Sequence, residues 1–279
     1  MSRANPSDSA PNPAARWFEF DGSNGTVRYY DKEQKKNVDL GSKFTFILIG
    51  DPLACIRGWH DASDSGIYSN EVRDTRQETF VVKAFKGGIL AEGLYAAIRD
   101  RVKAMGGHFV ANLYCGFKNE KGELTIGSIQ FKGAALNAWV DFQKECPTDK
   151  KNVKLYWTKA VKINGFVEGK KGTIKFRVPK FELADITDKT NTEALTLETV
   201  LQAYLKSYFS RTRIQQVAQP AAPVAENTMA QGSGKGEAGI HQCADCGTYT
   251  DEAGVCKNKS CKANPNFQPA EPDDTDVPF

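Results

Sequence analysis

Four cysteines are crowded into nineteen residues near the C-terminus of the 279-residue chain, in the pattern C-x2-C-x9-C-x4-C. They are Cys243, Cys246, Cys256 and Cys261. Four thiolates on two short turns suit tetrahedral Zn²⁺, and a segment this small has no core with which to fold unless a metal is bound. Because the N-terminal residues are polar and unlike a secretory signal, the crowding favours metal over disulfides. We predict a structural Zn²⁺ site, with His241 as the reserve ligand.

The spacing of these cysteines resembles that of small zinc ribbons, although the C-x4-C pair is looser than the usual C-x2-C. The resemblance implies a compact unit that fixes loops for protein or nucleic-acid contacts. Lys257, Lys259 and Lys262 would permit phosphate contact there, or they are plain surface lysines. The other three cysteines lie among apolar neighbours and are expected to be small buried hydrophobes: Cys55, Cys115 and Cys146.

Two groups of basic and aromatic residues in the body have the composition of a single-stranded nucleic-acid site. In such sites a cationic groove follows the phosphates while bases stack on aromatic rings. Each aromatic residue alone is more typical of a core, so the hypothesis rests on the combination. The first group comprises Lys154, Tyr156, Lys162, Lys175 and Arg177, on strands whose polar residues are expected to face outward. The second group comprises Arg57, Trp59, Tyr68, Arg73 and Arg76.

The charge of the chain is distributed unevenly. Residues 233–279 hold four lysines and eight acidic residues, a net charge of −4. Because the whole chain carries +3, residues 1–232 carry +7. A basic body with an acidic tail is the asymmetry expected of a nucleic-acid-binding protein, although acidic tails are also common as plain solvated segments.

The last seven residues, Asp-Asp-Thr-Asp-Val-Pro-Phe, place three carboxylates before an apolar end. Phe279 would fill a partner's pocket, Pro278 would stiffen the chain, and Asp273, Asp274 and Asp276 would steer the approach. This tip resembles the acidic C-terminal tip of bacterial single-stranded DNA-binding proteins and their phage counterparts. The resemblance implies recruitment of replication or recombination proteins and a phage or mobile-element origin.

Enzyme signatures are missing from the sequence. It contains no G-x-x-x-x-G-K-[ST], H-E-x-x-H or G-x-S-x-G motif, and its three histidines are far apart. Asp61, Asp64 and Glu71 could in principle gather around Mg²⁺ in a nuclease, but their spacing equally suits a solvated loop. We therefore expect a protein that is not an enzyme.

Hydrophobic periodicity predicts a β-rich α+β fold, for which an OB-like barrel with added helices is the natural scaffold. Strands are predicted over residues 16–20, 26–30, 44–49, 53–60, 66–73, 78–85, 108–118, 124–131, 153–163 and 173–178. Helices are predicted over 91–105, 133–145 and 193–210.

Composition divides the chain into five parts. These are a disordered N-terminus (1–15), an OB-like nucleic-acid-binding body (16–213), a flexible linker (214–239), a zinc ribbon (240–264) and a disordered acidic tail (265–279). No apolar run approaches the ~18 residues of a membrane span. We expect a cytoplasmic protein without a membrane partner, in a bacterial host cell if a phage encodes it.

These features favour a single-stranded DNA-binding protein of replication, recombination or repair. Two alternatives remain open at this point: a metal-dependent nuclease or other DNA-processing enzyme, and a zinc-ribbon adaptor or transcription-type factor. The sequence leaves open whether the body self-associates.

Deleting residues 271–279 should tighten DNA binding at low salt, because the deletion removes carboxylates that compete with DNA for the basic body. Titration of a labelled single-stranded oligonucleotide with the full-length and shortened chains measures this. An unchanged affinity would contradict competition between the tail and DNA.

Overall fold

The structure, a computed structural model, describes residues 11–218, with side chains as far as Ser210. This part of the chain is a strand-rich mixed α/β fold with a large sheet and three α-helices. The first six strands are β1 (Arg16–Asp21), β2 (Thr26–Asp31), β3 (Lys36–Asp39), β4 (Lys43–Leu48), β5 (Leu53–His60) and β6 (Ser65–Ser69). The other six are β7 (Phe80–Ala84), β8 (Gly88–Gly93), β9 (Gly107–Lys118), β10 (Leu124–Lys132), β11 (Ala160–Lys171) and β12 (Ile174–Ala184). The helices are α1 (Tyr95–Ala104), α2 (Gly133–Glu145) and α3 (Asp188–Ala218).

Strand β9 lies at the centre of the sheet. The main path runs β3-β2-β1-β10-β9-β5-β6-β7-β8. One edge of β9 pairs with β10, and the other pairs first with β5 and then, at Gly116 and Cys115, with β4. Beyond β4 the sheet continues through β11 to β12. Strand β1 runs parallel to β10, so the N-terminal hairpin extends the sheet beside a strand that lies far along the chain.

An aromatic core fills one face of the sheet beneath α2. The helix buries Ala135, Leu136, Trp139 and Val140, whose spacing forms a single apolar stripe. The Trp139 ring centroid lies 5.8 Å from that of Phe131 and 5.4 Å from that of Phe181. Strand β10 beside the centre of the sheet and strand β12 at one end therefore pack on one side chain, which is compatible with a barrel-like fold.

A second core lies on the same face of the sheet, under α1. Ile98 and Val102 of this helix are buried with Ala54, Ile56 and Val82. Gly106 follows the helix in the left-handed region, with a φ of 85°, and ends it.

Helix α3 covers part of the opposite face. Leu201, Tyr204 and Leu205 pack with Ile47 and Tyr114 in a third apolar cluster. No helix within residues 11–218 is both long enough and apolar enough to span a bilayer.

A buried polar network joins α3 to the sheet. Asn112 Nδ2 donates to Glu71 Oε1 at 2.6 Å, and the Tyr114 hydroxyl donates to Glu71 Oε2 at 3.1 Å. The Glu71 backbone N–H donates to the hydroxyl of Tyr208 on α3 at 2.8 Å. The Asn12 amide in turn donates to the Tyr114 hydroxyl at 3.1 Å. Buried polar groups that are satisfied in this way fix the relative positions of the elements that supply them.

Most predicted elements are confirmed in type and place, including β5 at its predicted limits. The predicted strand over 153–163 is wrong before Ala160. Its first half is a tight turn in which the Leu155 N–H donates to the Pro147 carbonyl and the Lys159 N–H to the Leu155 carbonyl. The predicted helix over 91–105 starts at Tyr95, because residues 88–93 pair with β7 instead. Strands β3 and β8 were not predicted.

Two of the boundaries predicted between parts of the chain differ from those in the structure. Ala14 is buried and the Ala15 N–H donates to the Ile126 carbonyl at 2.8 Å, so these residues belong to the fold and not to a disordered N-terminus. Residues 214–218, predicted as linker, continue α3. Residues 1–10 and 219–279 lie outside the described residues, and with them lie most of the predicted linker, the zinc ribbon and the tail.

Replacing Glu71 with Gln should flatten the pH dependence of stability. Burial raises the pKa of Glu71 above its ordinary 4.5, although the Tyr114 hydrogen bond and the charge of Arg57 oppose that rise. The folded chain therefore takes up this proton more readily than the unfolded chain. The Glu71 contribution to the free energy of unfolding is largest below pH 4.5 and falls as the pH rises through the raised pKa.

Urea unfolding of the wild type and of Glu71→Gln between pH 4.5 and 7.5 isolates this contribution, because all other titrating groups are shared. We expect the stability of the wild type relative to the variant to fall with rising pH. A difference that stays constant across the range would contradict the raised pKa.

Candidate nucleic-acid interface

The structure brings part of the second predicted group together on one face of the sheet. Arg57 on β5 lies directly opposite Tyr68 on β6 and His108 on β9, and Tyr68 lies opposite Lys83 on β7. Residues opposed in this way share a face, so these four form a row across four strands. Trp59 lies two residues beyond Arg57 on the same face. It is more than half exposed, at 54%.

Phe85 joins this surface from the end of β7. Its ring stacks on Tyr68 with 4.6 Å between centroids and 27° between planes, and the side chain is 74% exposed. Gly66 lets the ring lie close to β6, because a Cβ there would lie only 3.2 Å from the Phe85 ring. We call the set of Arg57, Trp59, Tyr68, Lys83, Phe85 and His108 the Trp59 surface.

The backbone beneath Trp59 is held by close glycine contacts. A Cβ on Gly58 would lie 2.0 Å from the Gly106 carbonyl oxygen, and a Cβ on Gly106 would lie 2.2 Å from the Trp59 carbonyl oxygen. Side chains at either position would push β5 and the α1–β9 turn apart. The direct backbone contact therefore sets the place from which the Trp59 ring extends.

Arg57 is anchored at the base of the Trp59 surface. Its Nη1 donates to the carbonyl oxygens of Ile56, at 2.9 Å, and Ser69, at 3.2 Å. The side chain is half-buried, its charge also acts on the buried Glu71 carboxyl, and Lys83 lies two strands away. A fixed cation next to aromatic faces is the arrangement that a nucleic-acid backbone and its bases require.

Arg73 and Arg76 lie apart from the Trp59 surface. The strand predicted over 66–73 ends at Ser69, and the chain then turns toward α3. The Arg73 guanidinium carbon lies 4.1 Å from the centroid of the Phe209 ring on α3. Arg76 is exposed in the following turn, where its backbone N–H donates to Asp74.

The first predicted group is dispersed, and the outward orientation predicted for Tyr156 is wrong. Tyr156 is buried against Trp139 and Phe142, at centroid distances of 6.2 and 6.5 Å. Lys154 Nζ donates to the carbonyl oxygens of Lys144, at 2.9 Å, and Cys146, at 2.7 Å. It therefore satisfies carbonyl groups at the C-terminus of α2.

The other members of that group lie on β11 and β12. Lys162 is half-buried between Thr45 and Glu182 in the strand register. Lys175 is exposed near the tip of the β11–β12 hairpin. The Arg177 guanidinium lies over the Phe166 ring, 5.1 Å from its centroid, and donates to the Ser23 carbonyl.

A second exposed aromatic pair lies on the same sheet face and was not predicted. Trp17 on β1 is 40% exposed and Tyr30 on β2 is 56% exposed, with Lys32 Nζ 5.3 Å from the Trp17 ring centroid. The alternation of Trp17 with the buried Phe18 along β1 was the sequence signal that could have identified this pair. Phe85, Lys83 and His108 were also missed, since they become neighbours of Trp59 only through strand pairing.

The carboxylates considered for a nuclease are not brought together. Asp61 and Asp64 lie exposed in the turn after β5, whereas Glu71 is buried in the network under α3. Within residues 11–218 no three His, Cys, Asp or Glu side chains are placed to hold a metal ion. The predicted zinc ligands Cys243, Cys246, Cys256 and Cys261, the reserve ligand His241 and the tip residues Asp273, Asp274, Asp276, Pro278 and Phe279 lie outside the described residues.

The three cysteines of the body are buried, as predicted. Burial raises the pKa of the Cys55 thiol to about 12 and raises that of Cys115 further. Both groups therefore remain protonated and unreactive at neutral pH.

The chain matches no known protein-family model, no curated protein sequence and no solved structure.

Replacing Lys154 with Met should destabilise the fold without weakening DNA binding. Methionine keeps most of the aliphatic stem but removes the donor to the carbonyl groups of α2, so we expect the free energy of unfolding to fall by about 1 kcal/mol. Urea unfolding and an oligonucleotide titration together measure the two effects. The control is Lys150→Met, an exposed lysine in the same loop region. Weaker DNA binding at unchanged stability would restore Lys154 as a DNA contact.

Proposed function

We propose that the body binds single-stranded DNA on the Trp59 surface. The observation that carries the proposal is the exposure of Trp59 and Phe85 on one sheet face, beside the row that contains Arg57 and Lys83. Exposed rings that are grouped on one face mark an interaction site, whereas single exposed rings are common, and here Arg57 and Lys83 lie beside the group. Unpaired bases supply flat apolar faces for the rings and phosphates for the cations.

The proposed binding mode assigns separate tasks to the rings and to the cations. One base stacks on Trp59 and a neighbouring base on the Phe85–Tyr68 pair, while Lys83 and Arg57 contact the phosphates between them. Stacking is tolerant of base identity, because every base has a π face. A protein that coats single strands without regard to sequence needs this property.

The pair formed by Trp17 and Tyr30 offers a second stacking position for the same strand. On β9, Tyr114, in the row of Trp17, lies six positions beyond His108, in the row of Arg57. At roughly 3.3 Å per residue, the two positions lie about 20 Å apart along the strand direction. A bound strand that reached both would span several nucleotides.

The scaffold we propose is an OB-like barrel with added helices. Strands β12, β11, β4, β9, β10, β1 and β2 surround the aromatic core beneath α2. The two ends of this series approach each other where the Arg177 N–H donates to the Gly22 carbonyl at 2.7 Å. Such barrels present one face of curved strands to oligonucleotides. The Trp59 surface extends this face from β9 onto β5, β6 and β7.

The C-terminal residues complete the proposal through their sequence alone. The four cysteines would hold a structural Zn²⁺, and the tip ending in Pro278 and Phe279 would recruit replication or recombination proteins. The net charge of −4 on residues 233–279 would attract these residues to the positively charged body until DNA displaces the tail.

Replacing Trp59 with Ala should weaken single-strand binding strongly. Loss of one stacked base removes ~1–3 kcal/mol, which corresponds to about a 5- to 150-fold rise in the dissociation constant. Fluorescence anisotropy with a labelled oligothymidine at fixed salt measures the change. Phe85→Ala should have an effect of the same order, since its ring is the most exposed part of the stack with Tyr68.

The matched control is Leu195→Ala, which removes a side chain of similar exposure from α3.

Lys83→Gln should reduce the magnitude of the salt slope by about 0.7, the value for one phosphate contact on single strands. Tighter binding of duplex than of single strands by the wild type would favour an adaptor or transcription-type role and overturn the proposal.

A further inference from the structure

The ends of β11 and β12 leave the sheet as a two-stranded hairpin. Strand β4 pairs with β11 only over residues 161–164. From Phe166 to Lys171, β11 pairs with residues 174–179 of β12. We call residues 166–179 the β11–β12 hairpin. A hairpin without a third strand is marginally stable on its own, so its tip depends on the contacts at its base.

The base of the hairpin is anchored to the β1–β2 turn. The Phe166 ring occupies the space where a Cβ on Gly25 would lie, at 2.3 Å from the nearest ring carbon. The Arg177 guanidinium covers the same ring and donates to the Ser23 carbonyl, and the Arg177 N–H donates to the Gly22 carbonyl. These contacts hold the hairpin in a fixed direction.

The hairpin carries exposed apolar side chains at its tip, Ile174, and near its base, Val167. Ile174 is 69% exposed and Val167 is 46% exposed. Strand register places Ile174 on one face with Phe176 and Val178, and Val167 lies opposite Val178. β-Branched side chains gain little from folding when they stay solvated, so this face indicates a surface that is covered in a complex.

The other face of the hairpin carries an unfavourable charge pair. Lys170 and Lys175 lie directly opposite each other across the two strands, and both are exposed. Like charges at directly opposed positions destabilise a strand pair. An anion between them would relieve the repulsion, and a nucleic-acid phosphate has the required charge.

We propose that the β11–β12 hairpin is a wedge for the junction between single-stranded and duplex DNA. Ile174 inserts against the terminal base pair and unstacks it, and Lys170 and Lys175 contact the phosphates on either side. Apolar wedges beside basic residues open base steps in this way. The inference rests on the proposed function, because a single strand bound to the body would bring the junction to the hairpin.

A duplex with a single-stranded oligothymidine tail and 2-aminopurine at the first paired position tests the wedge. The fluorescence of 2-aminopurine rises when the base unstacks. We expect the wild type at saturation to raise it, and Ile174→Ser to reduce that rise at least about fivefold through loss of the wedge. The affinity of Ile174→Ser for the isolated tail should stay unchanged. The control is Leu195→Ser, an apolar side chain of comparable exposure on α3.

Charge reversal tests the role of the two lysines. Lys170→Glu with Lys175→Glu should reduce the magnitude of the salt slope for the tailed duplex by about 1.4 to 1.8, the value for two phosphate contacts. Lys103→Glu with Lys121→Glu changes the net charge equally at exposed positions elsewhere and should leave the slope unchanged. Thermal unfolding of each variant establishes that the fold is intact.

The outcomes separate the wedge from the function on which it rests. Equal base unstacking by the wild type and by Ile174→Ser overturns the wedge and leaves single-strand binding in place. Absence of binding to the isolated tail by the wild type overturns the proposed function as well. Loss of self-association by Ile174→Ser, with unstacking retained, would assign the apolar face to a second copy of the chain and overturn the wedge.

Discussion

The pairing of β9 on both edges is the constraint on which the rest of the structure depends. Of its twelve residues, nine are registered against β10 on one side and eight against β5 or β4 on the other. Alternation along β9 therefore decides which face each neighbouring strand presents. Ala111 and Leu113 lie in the aromatic core beneath α2, whereas Asn112 and Tyr114 face α3. A slip of one residue would place Asn112 in the apolar core, where its amide would be unsatisfied.

The face of the sheet turned toward α3 has two distinct parts. Under the helix this face is buried, and its polar groups form hydrogen bonds with Glu71. Beyond the helix it carries Trp59 and Phe85 in solvent. One rigid sheet thus joins a buried anchor to an exposed stacking surface. The sheet matters because a backbone already fixed before binding loses little conformational freedom when a base stacks on the rings that it carries.

Much of the fold follows from sequence periodicity, and the failures have physical causes. The limits of β5 and the buried stripe of α2 were predictable because the spacing of their apolar residues fits only one type of secondary structure. Strands β3 and β8 were not, because backbone pairing with β2 and β7 defines them more than their side chains do. Tyr156 follows the same alternation as an outward strand residue, but the aromatic core around Trp139 binds its ring. Trp59 and Tyr68 could be selected from sequence, whereas Phe85 and Lys83 required the register of β6 and β7.

The parallel pairing of β1 with β10 has a consequence for the order in which the chain folds. Arg16 pairs with Gly127, and Asn12 bonds to Tyr114 across a separation of 102 residues. The N-terminal hairpin can form early as a local structure, but it has no strand to join until β10 has left the ribosome. Contacts between such distant residues slow folding, because a long loop must close before they stabilise the chain. During synthesis the apolar face of β1, with Phe18 and Phe20, therefore stays unburied until the later strands of its core have been made.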